Sequence, residues 1–227
     1  MASIISKSNL QKKKHLSFLL ISLVALILAY PFLIVNDTRY IFLVIISTIV
    51  LFLAIYATSY DRKHFIRGLI LGVPAVLVNI STVFFKIPIL YLLAIILYII
   101  FYGFTVVTLL RHVISSKKVD SEIIFGAICA YLLIGFMWGG IYLLIEVVSP
   151  NSFFIDAAHN IDNKTNYADF LYFSFVTLAT LGYGDISPVT PLARNVSVIE
   201  GIIGVFYLAI LVARLVSLYT VESQSKK

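Results

Sequence analysis

The chain has 227 residues, 61% hydrophobic and 12% charged, with mean hydropathy +1.03 and a formal net charge of +6. That excludes an ordinary soluble domain, where apolar usage is roughly 45–50%. A single cysteine, Cys129, excludes an intrachain disulfide and a multi-cysteine metal site.

The apolar residues fall into six long runs, taken in chain order as Leu16–Val35, Tyr40–Ser59, Phe65–Phe85, Ile87–Leu110, Ile123–Val148 and Val196–Tyr219. Each is roughly 20–26 residues, enough to cross a hydrocarbon core of about 30 Å as a helix. The first is preceded by lysines, as a signal peptide would be. Bulky Tyr30-Pro31-Phe32 stands where a small-residue cleavage site belongs, so the run is taken as a retained helix. Only Lys86 separates the third run from the fourth, with Pro88 suited to a first helical turn.

Lysine and arginine set the orientation. Lys7, Lys12–Lys14, Arg62, Lys63, Arg67, Arg111, Lys117, Lys118, Arg214, Lys226 and Lys227 fall on one side, and Arg39, Lys86, Lys164 and Arg194 on the other. The richer side is expected to be cytosolic, with both termini inside. The positive charge is thus a matter of membrane topology, and no nucleic-acid partner is expected. Asp37, Glu146, Asp156, Asp162, Asp169 and Asp185 gather towards the outer side. They either attract cations or simply occupy outer loops.

Between the fifth and sixth runs lies a non-spanning region, Ser149 to Asn195. Its first part, NSFFIDAAHNIDNKTNYAD, suggests an exposed loop. It contains a glycosylation sequon, Asn163-Lys164-Thr165, relevant only in a secretory eukaryotic host. The next part, FLYFSFVTLAT, is apolar but too short to span, and suits a re-entrant helix with Asp169 as cap or first-turn acid. It leads into Thr180-Leu181-Gly182-Tyr183-Gly184-Asp185. A cation that sheds water in lipid needs replacement oxygens, and convergent backbone carbonyls supply them. Pointing every carbonyl one way requires φ > 0 at some positions, and Gly182 and Gly184 accept this without steric cost. Read alone, GYGD is also compatible with an ordinary glycine turn.

This hexapeptide resembles the potassium-channel selectivity filter, usually T-V-G-Y-G-D. The resemblance covers about Glu122 to Glu222 and implies a channel of bacterial type with one pore loop per chain. It implies a homotetramer, K+ as permeant ion and no cofactor. The implied ion ligands are the carbonyls of Thr180, Leu181, Gly182 and Tyr183 with the Thr180 hydroxyl, while Gly184 completes the filter. Filter support falls to Asp185, Tyr172, Thr177 and Glu200, and the gating hinge to Gly204. Leu181 departs from the usual Val or Ile, Tyr172 from a frequent Trp, and Val176 from an acid. Two readings stay open for Asp185, tied to the Tyr172 phenol or solvated. Two also stay open for Glu200, bracing the filter from behind or reaching the interface.

The expected fold is an all-α membrane protein with six transmembrane helices, plus a re-entrant pore helix and filter loop. Expected units are a cytosolic tail (1–15), a four-helix transmembrane domain (16–118), a pore domain (119–222) and a short tail (223–227). Ile87 to Leu110 contains no Lys or Arg, so the layout is that of a voltage-gated channel without its sensor. Asn79 is expected to bond to a neighbouring helix and Arg214 to reach anionic headgroups. His15, His64, His112 and His159 have no metal-ligand spacing. The function expected is passive K+ conduction across the plasma membrane, in contact with membrane lipids and open to a separate regulatory subunit. The rival readings are a poorly selective cation channel, a K+-transporter subunit or a membrane scaffold. No nucleophile–base pair supports an enzyme.

Overall fold

Long apolar runs fold as helices because each backbone N–H and C=O is then bonded inside its own segment. The computed structural model describes residues 15–33, 37–57, 62–85, 87–116, 120–156 and 165–224. Lys7, Lys12–Lys14, Lys86, Lys117, Lys118, His159, Asp162, Asn163, Lys164, Lys226 and Lys227 lie outside the described residues.

The elements are α1 (His15–Leu33), α2 (Asp37–Ala57), α3 (Arg62–Phe84), α4 (Pro88–Ser115), α5 (Ser121–Val148), β1 (Phe153–Ile155), α6 (Tyr167–Leu178), β2 (Ile186–Pro188) and α7 (Pro191–Gln224). Among the described residues, four stretches are long and apolar enough to cross a membrane: α3, α4, α5 and Pro191–Arg214 of α7. The apolar parts of α1 and α2, Leu16–Tyr30 and Val44–Ala57, are shorter. The described residues are nearly all helical, with one short two-stranded sheet, and their long apolar helices fit an all-α membrane protein.

Local chemistry sets the helix ends. Pro88 opens α4 after an extended Ile87. Asp120 caps α5 by accepting from the Ile123 N–H at 3.0 Å. The last helix starts at Pro191, five residues before the expected Val196, because proline suits a first turn and the Thr190 hydroxyl accepts from Ala193 N–H at 3.4 Å. It also runs to Gln224, past Tyr219, and α4 runs to Ser115, past Leu110.

Consecutive helices pack on one another from α1 to α5, and α5 also meets α1, α6 and α7. One hydrophobic cluster joins α1 to α5, both strands, α6 and the start of α7. Asn79 on α3 donates to Tyr98 Oη on α4 at 2.8 Å and reaches Ser47 Oγ on α2 at 3.4 Å, so its polar head is satisfied between helices. Arg214 does more than reach outwards. Its Nη2 donates to the Ile114 and Ser116 carbonyls at 3.0 and 2.9 Å, satisfying acceptors left over at the end of α4.

The stretch expected as an exposed loop is partly structured. Phe153–Ile155 pairs antiparallel with Ile186–Pro188, and Phe153 is buried. Its ring lies 5.1–5.5 Å from those of Phe170, Phe173 and Tyr142. Aromatic packing on α5 and α6 thus draws the segment inwards despite its polar neighbours.

Gly204 is helical and lies where α7 crosses the end of α6. A Cβ there would overlap the Leu178 carbonyl oxygen and crowd the Leu178 backbone. Backbone cannot step aside as a side chain can, so Gly204→Ala is expected to destabilise the protein by about 1–3 kcal/mol through overpacking. Thermal unfolding in detergent checks this. An unchanged midpoint would show that α6 and α7 are not pressed together at Gly204.

Candidate functional site

Helix α6 begins at a capping box. Asn166 Oδ1 accepts from Ala168 N–H at 2.8 Å and Asp169 N–H at 3.4 Å, and Asp169 Oδ2 accepts from Asn166 N–H at 2.9 Å. Asn166 is therefore the cap, and Asp169 is the first-turn acid. The Tyr167 hydroxyl donates to the Phe136 carbonyl at 2.7 Å and ties this end to α5.

Helix α6 ends in a Schellman arrangement. Thr180 N–H bonds to the Thr177 carbonyl at 3.0 Å, and Leu181 N–H to the Val176 carbonyl at 2.9 Å. The residue that turns the chain is Thr180, with φ +58°. That position normally takes glycine, and a β-branched residue is strained there. Gly182 and Gly184 follow with φ +59° and +84°, whereas Leu181 and Tyr183 are not left-handed. Left-handed residues thus alternate with ordinary ones from Thr180 to Gly184. In-chain neighbours are sparse here: Leu181 is 56% and Tyr183 66% exposed, and nothing lies within 4 Å of a Cβ built at either glycine.

The chain leaves this segment through Asp185. Its Oδ2 accepts from the Tyr172 hydroxyl at 2.7 Å, its Oδ1 from Ile186 N–H at 3.1 Å, and its carbonyl from Asp156 N–H at 2.9 Å. Partial burial and the Asp185 carboxylate hold the Tyr172 phenol up at about 12, so it stays a donor throughout the neutral range. On the other strand, Glu146 accepts from the backbone N–H groups of Asn151, Ser152 and Phe153 at 2.8, 2.9 and 3.2 Å. The two strands are therefore held at both ends.

Glu200 on α7 is 0% exposed, so it does not reach the interface. The Tyr142 hydroxyl of α5 donates to its Oε2, and Ser174 Oγ of α6 lies 2.5 Å from its Oε1. Ser174 Oγ also lies 2.9 Å from the Gly135 carbonyl of α5. One side chain thus joins three helices behind α6. Val176 is buried and offers no polar side-chain group.

The structure groups the sequence-predicted residues in three places. Thr180, Leu181, Gly182, Tyr183 and Gly184 form one exposed run. Tyr172 and Asp185 meet at its C-terminal end, and the Thr177 carbonyl anchors its start. Glu200 and Gly204 lie behind α6, one at a polar clamp and the other at a close crossing. Sequence reasoning missed Asn166, Ser174, Tyr142 and the left-handed Thr180. Asn166 and Asp169 have capping-box spacing, so that signal was present in the sequence. Ser174 and Tyr142 carry no pattern until the helices are packed.

The model of a family described as "Ion channel" matches residues 123–221. Over 57 residues the chain is 47% identical to "Two pore potassium channel c" of Oryza sativa subsp. japonica, covering 25% of this chain and 12% of that protein. It is 35% identical over 68 residues to "Potassium channel K2" of Plasmodium falciparum (isolate 3D7), and 36% over 67 residues to the protein of that name in Plasmodium berghei (strain Anka). Each of these matches covers 26% of this chain and 5% of the relative. The chain therefore spans only a small part of these relatives' length. No solved structure matches. The family is one of channels, not enzymes. Residues 123–221 are thus similar to an ion-channel family, and the relatives named above are potassium channels.

Proposed function

We propose that the chain is a K+-selective channel that conducts passively across the plasma membrane as a homotetramer, with both termini cytosolic. Six helices span, α6 is re-entrant, and Thr180–Gly184 is the filter. Residues 16–118 form a four-helix domain and 119–222 the pore domain. The observation that carries this reading is the alternation of handedness at Thr180, Gly182 and Gly184. Alternating left- and right-handed residues turn successive peptide planes the same way, so carbonyls gather on one face and N–H groups on the other. A face of carbonyls replaces the hydration shell of a cation when four copies meet around an axis. In this reading the ligands are the carbonyls of Thr180, Leu181, Gly182 and Tyr183 and the Thr180 hydroxyl. Helix α6 aims its partly negative C-terminal end at the same axis.

The homotetramer is supported by what one chain leaves bare. Helix α7 is the least buried of the four long apolar stretches, and Val198, Ile202, Phe206 and Ile210 are all at least half exposed. Partner copies and lipid would cover these faces. Gly204, beyond its packing role, remains the proposed hinge.

Reconstitution in planar bilayers under opposed K+ and Na+ gradients tests the function. The current is expected to reverse near the K+ equilibrium potential. Reversal midway between the two ions would favour a poorly selective cation channel. No unitary current at all would favour a transporter subunit or scaffold. The same recording tests voltage dependence, since one charge crossing the full field contributes about 2.3 kcal/mol per 100 mV. Helix α4 carries no Lys or Arg before Arg111, so open probability should change only shallowly with voltage. A steep activation curve would mean that charges elsewhere, such as Arg62 and Arg67, move in the field.

Tyr172 and Asp185 are proposed to steady the outer end of the filter. Losing one charge-assisted bond at a half-exposed site is worth roughly 1 kcal/mol. Tyr172→Phe and Asp185→Asn should each speed the decay of current in low external K+. The double variant should be no worse than the more severe single one, because both delete the same interaction. Additive effects would show that the two side chains act independently.

A further inference from the structure

A count of protons around Glu200 carries one step beyond conduction. Three oxygen–oxygen contacts form a chain: Tyr142 Oη to Glu200 Oε2, Glu200 Oε1 to Ser174 Oγ at 2.5 Å, and Ser174 Oγ to the Gly135 carbonyl at 2.9 Å. Each contact needs a proton between its oxygens, since two lone pairs at such distances repel. A carbonyl has no proton to give. Tyrosine and serine hydroxyls carry one each. Two protons cannot serve three contacts.

We propose that Glu200 is a neutral carboxylic acid in the folded protein, and that its proton completes a clamp holding α6 between α5 and α7. The Glu200 O–H donates to Ser174 Oγ, the Ser174 O–H donates to the Gly135 carbonyl, and the Tyr142 O–H donates to Glu200 Oε2. Every hydroxyl then donates once, and every contact is a hydrogen bond.

The surroundings agree with a neutral group. Glu200 is fully buried, and a buried carboxylate needs a cation or several strong donors to offset its lost hydration. Tyr142 and Tyr131 face it from α5, Ser174 from α6, and Ser197 stands by the Tyr142 hydroxyl on α7. Among the described residues no Lys, Arg or His contacts it. Glutamate in the unfolded chain is ionised at neutral pH. The folded state would then hold one proton more than the unfolded state, so stability should fall as pH rises. Loss of the proton leaves a charge behind α6 and removes the donor to Ser174.

This step deepens the proposed pore, because α6 is the helix that presents Thr180–Gly184. It makes Glu200 a positioning residue, acting on the filter through Ser174 and α6. It also makes alkaline pH the condition that loosens the filter's support.

Infrared spectroscopy of the full chain in lipid bilayers tests the proton directly. A carboxylic-acid C=O band is expected at neutral pH, lost in E200Q and displaced in S174A and Y142F, each of which changes one hydrogen bond to the group. Thermal stability of the native chain should decline from neutral to alkaline pH, and this decline should flatten in E200Q. If E200Q does not fold, displacement of the band in S174A and Y142F still assigns it. A missing band, or one that none of the variants moves, would overturn the proposal. The band reports the proton whether or not ions pass. A band that behaves as expected in a chain without K+ current would therefore count against the channel reading and leave the clamp standing.

Discussion

L-residues resist left-handed backbone, and this chain adopts it at alternate positions from Thr180 to Gly184. The rest of the C-terminal half can be understood as what holds that conformation in place. Glycine relieves the strain at positions 182 and 184, but Thr180 has no such relief. Its conformation persists because it closes α6, where the Thr177 and Val176 carbonyls are satisfied only if the chain turns there. The same residue therefore stops a helix and starts the proposed ion path.

Support comes from three directions. The capping box at Asn166 and the Tyr167–Phe136 bond fix the start of α6. The rings of Tyr142, Phe153, Phe170 and Phe173 pack its flank, and the β1–β2 pair returns the chain to that cluster. Glu200 and Gly204 meet its rear, one by hydrogen bonds and the other by the absence of a side chain. Among the described residues Leu181 and Tyr183 stay exposed, and further copies are proposed to stand on that side. Farther away, α4 is joined to α7 through Arg214, so the first four helices are linked to the C-terminal part of the last.

Much of this was legible in the sequence because it depends on local chemistry. Long apolar runs specified helices, and two glycines around Tyr183 specified left-handed backbone. The Tyr172 and Asp185 side chains, suggested as partners by the resemblance, lie in contact. What escaped depends on tertiary packing. A threonine in left-handed backbone contradicts its own preference, so nothing in TLGYGD announces it. Phe153 looked exposed among Asn, Ser and Asp, and only the ring cluster on α5 and α6 explains its burial. Glu200 stood between two readings, bracing the filter from behind or reaching the interface, and its burial against Ser174 of α6 rules out the second. Its partners are 58 and 26 residues away in sequence, so their convergence could not be read from spacing. Helix α7 starts before its apolar run because Pro191, though outside that run, is at home in a first helical turn.

Handedness itself is the quantity to test. Position 182 has φ +59° and nothing within 4 Å of an added Cβ, so a methyl group there acts on backbone preference rather than by collision. L-alanine should resist this conformation by about 1–2 kcal/mol, whereas D-alanine, its mirror image, should adopt it readily. Chains carrying each at position 182 can be made by semisynthesis and recorded side by side in bilayers. The account predicts K+-selective current from the D-alanine chain and loss of selective current from the L-alanine chain. Equal selective currents from both, or current from the L-form alone, would contradict it.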